Sequence, residues 1–156
     1  MINDDNLNKY AQDISKLTFD MQKICNTKEV FFCKSINLTP IESRCMRYLL
    51  DTTFLQVKEL AKNMGLTPSR ITNLLNSLEQ KGYIMRKIST QDRRIIKVAL
   101  TEEGEKFAID INNKYIQFHK DILSSVSSET KLEDMLSNLK SFQHTLEIFL
   151  KNRKNI

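Results

Sequence analysis

Along most of this chain the apolar residues recur with a helical period. Over residues 7–25, Leu7, Tyr10, Ala11, Ile14, Leu17, Met21, Ile24 and Cys25 come close to the coiled-coil repeat, which predicts a long amphipathic helix able to supercoil against a partner. Residues 26–36, with Phe31 and Phe32 together amid polar residues, predict a structured connection. Thr39-Pro40-Ile41-Glu42 fits a capping box with proline at the first helical position, so a helix starts there with Ile41, Cys45, Tyr48 and Leu49 on its core side. Residues 51–55 can supply a short strand. Farther on, Thr101 is a natural N-cap, and Glu102 and Glu103 suit the positive end of the following helix. Its stripe is Phe107, Ala108, Ile111, Tyr115, Phe118, Ile122 and Val126. Residues 127–130 break the pattern, and Leu132, Met135, Leu136, Leu139, Phe142, Leu146, Phe149 and Leu150 predict a last helix before a basic tail at 151–154.

Between these lies the most densely patterned stretch, residues 57–101. Val57, Leu60, Ala61 and Met64 make a short amphipathic helix that Gly65 ends. Thr67 is placed as N-cap and Pro68 as first residue of a second helix over 67–81, with Leu66 and Ile71 as a hydrophobic staple. Ile71, Leu74, Leu75 and Leu78 form its buried stripe and Gly82 terminates it. Two helices joined by so short a turn predict a helix-turn-helix. Residues 83–89 and 95–100 have β-branched and apolar residues in rough alternation around a polar connection, a β-hairpin pattern, and a helix-turn-helix followed by a hairpin is a winged helix.

This stretch resembles the MarR (multiple antibiotic resistance regulator) family of winged-helix transcription factors. The resemblance lies in Glu59-Leu60-Ala61, the Leu66-Thr67-Pro68-Ser69 junction, the run from Leu78 to Ile84 with Arg86, the pair Asp92 and Arg94, and Val98, Leu100, Thr101 and Gly104. It implies a mostly α fold: a winged helix-turn-helix with a small antiparallel β-wing, residues 37–100, embedded in a helical dimerisation region formed by 1–36 and 101–156. The terminal helices are too long and too apolar on one side for a small winged helix to cover. Their stripes are expected to meet each other and a second subunit, as in the family's two-fold dimers; an intrachain three-helix bundle is the alternative.

Charge supports a polyanionic partner. The chain has 156 residues and a net charge of +5. Residues 58–97 hold nine Lys and Arg against three acids, a net of +6, so the rest nets −1. The excess therefore sits on the winged helix, as double-stranded DNA requires of a binder. With the apolar stripe facing inward, Ser69, Arg70, Thr72, Asn73, Asn76 and Ser77 face outward from the second helix, together with the cap Thr67. Arg70 and Asn73 suit base edges, and Ser69 and Thr72 suit phosphates. Arg93 and Arg94 stand in the wing's polar connection, where a guanidinium can enter a narrow A·T minor groove. By the family pattern Arg94 is the inserted residue, with Asp92 structural, shaping the wing or pairing with Arg86. Lys87 and Lys97 read as phosphate contacts or as solubility.

Catalytic motifs are missing: there is no Gly-rich phosphate loop, no H-E-x-x-H and no C-x-x-C, and His119 and His144 fall on helices. No enzyme, no cofactor and no metal site is expected. No apolar run approaches the roughly 18 residues of a membrane span, so a cytoplasmic location without membrane contact is expected. Some members of the resembled family sense peroxide through a cysteine near the start of the first helix. Cys25, read at that helix's far end, departs from the pattern; Cys45 falls on a buried face; Cys33, beside Lys34, is the better candidate for reactivity. Regulators of this kind also hold aromatic effectors in a crevice between dimer helices and winged helix, which Tyr10, Phe31, Phe32, Tyr48 and Tyr115 are candidates to line. The sequence thus points to a ligand-responsive repressor binding a pseudo-palindromic operator as a homodimer. The competing readings are a redox-switched regulator using Cys33 or Cys25, and a winged helix used as a protein-interaction module.

Overall fold

A computed structural model describes residues 3–89, 92 and 94–153. The described elements are α1 (Asp4–Ser35), α2 (Pro40–Leu50), β1 (Leu55–Gln56), α3 (Val57–Met64), α4 (Pro68–Gln80), β2 (Ile84–Ile88), β3 (Ile96–Leu100), α5 (Glu102–Leu123) and α6 (Glu129–Arg153). The chain divides into two units, Met1–Tyr115 and Ile116–Ile156.

In the first unit, α1 does not stop where its heptad-like stripe fades. Residues 26–35, expected as a connection, continue the helix, because nothing between Cys25 and Ser35 is a glycine or proline. The helix ends at Asn37, whose φ of 54° is left-handed. Leu38 N–H then reaches back to the Cys33 carbonyl at 3.1 Å and Asn37 N–H to the Lys34 carbonyl at 3.4 Å, a Schellman closure with asparagine in the usual glycine position. Two predicted placements change as a result. Cys25 lies mid-helix and is exposed, so the helix-end dipole argument does not apply to it; Cys33 is buried in the last turns.

The capping box at Thr39 and Glu42 forms as its spacing requires. On α2, Cys45, Met46 and Leu49 are fully buried, while Tyr48, expected in the core, is exposed and its hydroxyl donates to the Asn63 carbonyl at 3.3 Å. The short strand forms at Leu55–Gln56, at the end of the expected span. It pairs with β3, which pairs with β2, giving an antiparallel sheet of order β1-β3-β2. Ile71, Leu74, Leu75 and Leu78 all turn inward from α4, joined by Leu60, Ile84 and Val98. Burying each such side chain is worth about 1.5–3 kcal/mol, so this stripe fixes α4 against the sheet and α2.

The second unit holds the end of α5 and all of α6. No described residue of α6 is buried, and Met135, Leu136, Leu139, Leu146, Ile148, Phe149 and Leu150 are exposed. In the first unit, Leu7, Tyr10, Ile14, Leu17, Met21 and Ile24 of α1 are likewise exposed.

Candidate nucleic-acid interface

Helix α4 is held by both ends and from below, and this decides which of its side chains face out. Thr67 caps it, its hydroxyl accepting from Arg70 N–H at 3.4 Å. Ser69, Arg70, Thr72, Asn73 and Asn76 are exposed on the face opposite the apolar stripe. Thr72 Oγ1 donates to the Pro68 carbonyl at 2.8 Å, which leaves its oxygen free to accept but its proton spent within the helix. Ser77 departs from the expected outward set. It is half-buried, and its Oγ donates to Glu42 Oε1 at 2.7 Å, because the helical turn brings position 77 round beside Leu78 toward α2.

The same Glu42 Oε1 accepts from Lys81 Nζ at 2.8 Å, while Oε2 accepts from Thr39 N–H at 2.8 Å. Burial alone would raise this carboxyl, but Lys81, the Thr39 N–H, Ser77 and the Thr39 hydroxyl outweigh it and hold the pKa down to about 2. Glu42 thus caps α2 and anchors the end of α4 at once.

From the wing, Arg94 is exposed and its N–H donates to Asp92 Oδ1 at 2.8 Å. Arg93 lies outside the described residues. Arg86 pairs not with Asp92 but with Glu79 Oε2 at 2.9 Å and with Asn76 Oδ1, both on α4. Lys87 and Lys97 stand directly opposite each other on the hairpin; Lys87 Nζ lies 5.0 Å from the Phe54 ring centre, and Lys97 is half-buried. A groove of about 580 Å³ runs between α3, the start of α4 and β3. Its lining brings Arg94 of the wing and Thr72 of α4 together with Lys58 and Lys62, which sequence reading had not singled out.

The five aromatic residues expected around one crevice do not share one. Phe31 and Phe32 are adjacent on a helix and point about 100° apart. Phe32 is buried with its ring edge-on to Tyr115 at 5.0 Å, whereas Phe31 lines a separate groove beside Ile24 and Lys28. Tyr10 is exposed some 22 residues earlier on α1, roughly 33 Å along the axis. Only Tyr48 lines the cavity of about 540 Å³ between α1, α2 and α5, with Glu29, Arg44, Arg47, Leu50, Asp51 and Asn112. Arg44 chelates Glu29 through two N–H groups, which together with its charge holds that carboxyl below its ordinary value. The Arg47 guanidinium stacks 4.4 Å from the Tyr115 ring centre. These charged residues were missed because their partners are distant in sequence.

The thiols give no support to a redox site at Cys33. Burial pushes it up, against a weaker opposing hydrogen bond with Ser43, and it is 1% exposed. Cys45 is pushed up to about 12 by burial. Among the described residues no cluster of three metal-ligating side chains occurs, and no helix is long and apolar enough to cross a membrane.

A hairpin packed beside a two-helix motif whose second helix turns polar side chains outward defines a winged helix-turn-helix protein. Residues 38–96 match the model of the MarR family, a family of transcriptional regulators, not enzymes. The chain is 38% identical over 68 residues to the HTH-type transcriptional repressor MdtR of Bacillus subtilis (strain 168). That match takes in 44% of this chain and 44% of MdtR, less than half the length of either. The fold is similar to that of the YusO protein from Bacillus subtilis, with 27% identity, 91% of this chain and 99% of YusO covered, and a TM-score of 0.67. It also matches the S. aureus MepR-DNA complex, at 24% identity and a TM-score of 0.65, over 84% of this chain and 96% of that one.

Proposed function

We propose that this chain is a DNA-binding transcriptional regulator: a ligand-responsive repressor that acts as a homodimer on a pseudo-palindromic operator. The observation that carries the DNA reading is the exposed polar face of α4, with Ser69, Arg70, Thr72, Asn73 and Asn76, beside which Lys58, Lys62 and Arg94 line a groove whose other walls are mostly apolar. On this reading residues 37–100 are the DNA-binding domain. Arg70 and Asn73 meet base edges, Thr67 and Ser69 position phosphates, Thr72, its proton held by the Pro68 carbonyl, accepts from a donor on a base, Lys87 and Lys97 add backbone contacts, and Arg94, with Arg93, enters the minor groove. The MepR-DNA complex and the repressor MdtR support DNA binding and repression by analogy.

Residues 1–36 and 101–156 are proposed as the dimerisation region, because the apolar stripes of α1 and α6 are exposed over several turns and a second copy would cover them. The cavity bounded by Arg44, Arg47 and Tyr48 has the size of a small-ligand site and is the proposed effector pocket, suited to an aromatic ligand with an acceptor for the guanidinium groups. The protein would act in the cytoplasm.

The test is binding to promoter fragments at rising salt, with mass measured by sedimentation. The expected result is a dimer whose log affinity falls steeply and linearly with log salt, on sites with inverted half-sites about ten base pairs apart. Salt-insensitive or absent binding would favour a protein-interaction module, and selected sites without dyad symmetry would count against the dimer.

A further inference from the structure

Arg86 ties the wing to the recognition helix. From β2 its Nη2 donates to Asn76 Oδ1 and lies 2.9 Å from Glu79 Oε2. Positions 76 and 79 are neighbours on one helix face, so a single guanidinium can hold both. Its side chain is 22% exposed and its Nε is buried without a partner, so these two acceptors are what fix it. A guanidinium carries donors only, so the Asn76 atom it meets has to be the carbonyl oxygen; the sense of the amide follows from the chemistry.

We infer that Arg86 is a positioning residue that holds Asn76 with its N–H donors outward, so that Asn76 meets a hydrogen-bond acceptor on DNA and does not make the two-bond contact that singles out adenine. This rests on the DNA-binding reading above. Asparagine recognises adenine by accepting from N6 while donating to N7, which needs its oxygen turned to the base. Here that oxygen is engaged by a charged donor, and turning it away breaks a charge-assisted bond. What remains for DNA is the NH2 group. It fits a purine N7, guanine O6, thymine O4 or a phosphate oxygen, and it meets adenine through N7 alone, without the N6 bond that would single adenine out. Asn73, one turn earlier and exposed, is under no such constraint.

The experiment selects bound duplexes from a randomised library with wild type, Asn76→Ala and Arg86→Met, and measures affinity on the selected sites. If the acceptor is on a base, wild type favours guanine, with its two acceptors, at one position per half-site and does not confine that position to adenine. Asn76→Ala then loses that preference with a roughly 5- to 150-fold loss at the preferred site, and Arg86→Met shifts the position toward adenine. If the acceptor is a phosphate, Asn76→Ala weakens all sequences alike. Both results support the inference and they separate its two sources. It is overturned if the Asn76-dependent base is cytosine, or adenine to the exclusion of guanine and thymine, or if Asn76→Ala changes neither affinity nor preference. In the base case it is also overturned if folded Arg86→Met keeps the wild-type pattern; should that variant not fold, the identity of the Asn76-dependent base still decides. Failure of wild type to hold any duplex overturns the DNA-binding reading itself, a result distinct from all of these.

Discussion

Glu42 Oε1 lies 2.8 Å from Lys81 Nζ, so the first turn of α2 grips the end of the recognition helix through a nearly buried carboxylate. Its folded pKa of about 2 lies below the ordinary 4.5. A depressed carboxyl stabilises the fold fully above the unfolded value and loses that contribution as pH falls through 4.5 toward 2. The contribution is on the order of 3 kcal/mol. Thermal unfolding followed by circular dichroism from neutral pH down to the acid limb should show Glu42→Gln clearly less stable than wild type near neutrality. The gap should close toward pH 2; a gap of constant size would mean that the carboxylate charge is not what holds the two helices.

Gly104 makes a sharper demand. A Cβ at this position would fall 1.8 Å from the Tyr83 carbonyl oxygen, a backbone atom that cannot move aside. Gly104→Ala is therefore expected to cost about 3 kcal/mol, read as a fall in the urea midpoint. At Gly65 a Cβ meets nothing within 4 Å, and only its φ of +64° opposes substitution. Gly65→Ala should cost about 1 kcal/mol, and an equal loss at both glycines would contradict this ranking.

How much of this was legible depends on the range of the interactions. The capping box at Thr39–Glu42, the Thr67-Pro68 start of α4 and the inward stripe at Ile71, Leu74, Leu75 and Leu78 are local patterns, and each forms where its spacing puts it. The continuation of α1 through residues 26–35 was hidden because its apolar residues, Val30 to Cys33, run together and do not prolong the earlier stripe; the available sign was the want of a breaker before Asn37. Ser77 and Asn76 read alike as outward polar residues. Only the packing of α2, 35 positions away, turns Ser77 to Glu42, and only β2 supplies Arg86 to Asn76. Glu29 with Arg44, and Tyr48 with Asn63, are likewise pairs that no spacing rule connects.

The thiols should differ by position. A disulfide reagent is expected to reach Cys25 only where the α1 stripe is uncovered, as in the single chain, to leave the buried Cys33 and Cys45 unmodified in the native protein, and to modify all three thiols after denaturation. Cys25→Ser should abolish the native reaction. Rapid native labelling of Cys25→Ser would show that α1 opens near Cys33, and would reinstate that residue as a redox candidate.

Arg94 and Arg70, both exposed, are expected to fail differently. Arg94→Ala should weaken binding chiefly at operators with A·T-rich flanks and lower the salt slope by about one unit. Arg70→Ala should cost about 1–3 kcal/mol at the preferred operator and relax one position per half-site. Affinities over a salt series on both kinds of site, with circular dichroism as control, decide the matter. The same sequence-independent loss from both would make each a phosphate clamp.

Asp92→Ala offers a companion measurement. Its Oδ1 holds the Arg94 N–H at 2.8 Å, so its loss should reproduce part of the Arg94→Ala defect without removing a positive charge. The expected signature is a drop in affinity with an unchanged salt slope. A slope reduced as in Arg94→Ala would show that Asp92 acts on the charge of the wing and not on its shape.

The hairpin is sutured at its root. Thr101 N–H donates to the Tyr83 carbonyl at 3.0 Å, Thr101 Oγ1 donates to the Gly82 carbonyl at 2.6 Å, and Gly104 N–H donates back to Thr101 Oγ1 at 2.9 Å. The residue that leaves β3 is thus knotted to the two that enter β2, before α5 begins. Whatever length of chain lies between the strands, the helix that follows starts from the same place. The wing can therefore be treated as an exchangeable cassette: its tip is open to insertion, deletion or grafting, while the position of α5 stays set by the stitches at Gly82, Tyr83, Thr101 and Gly104.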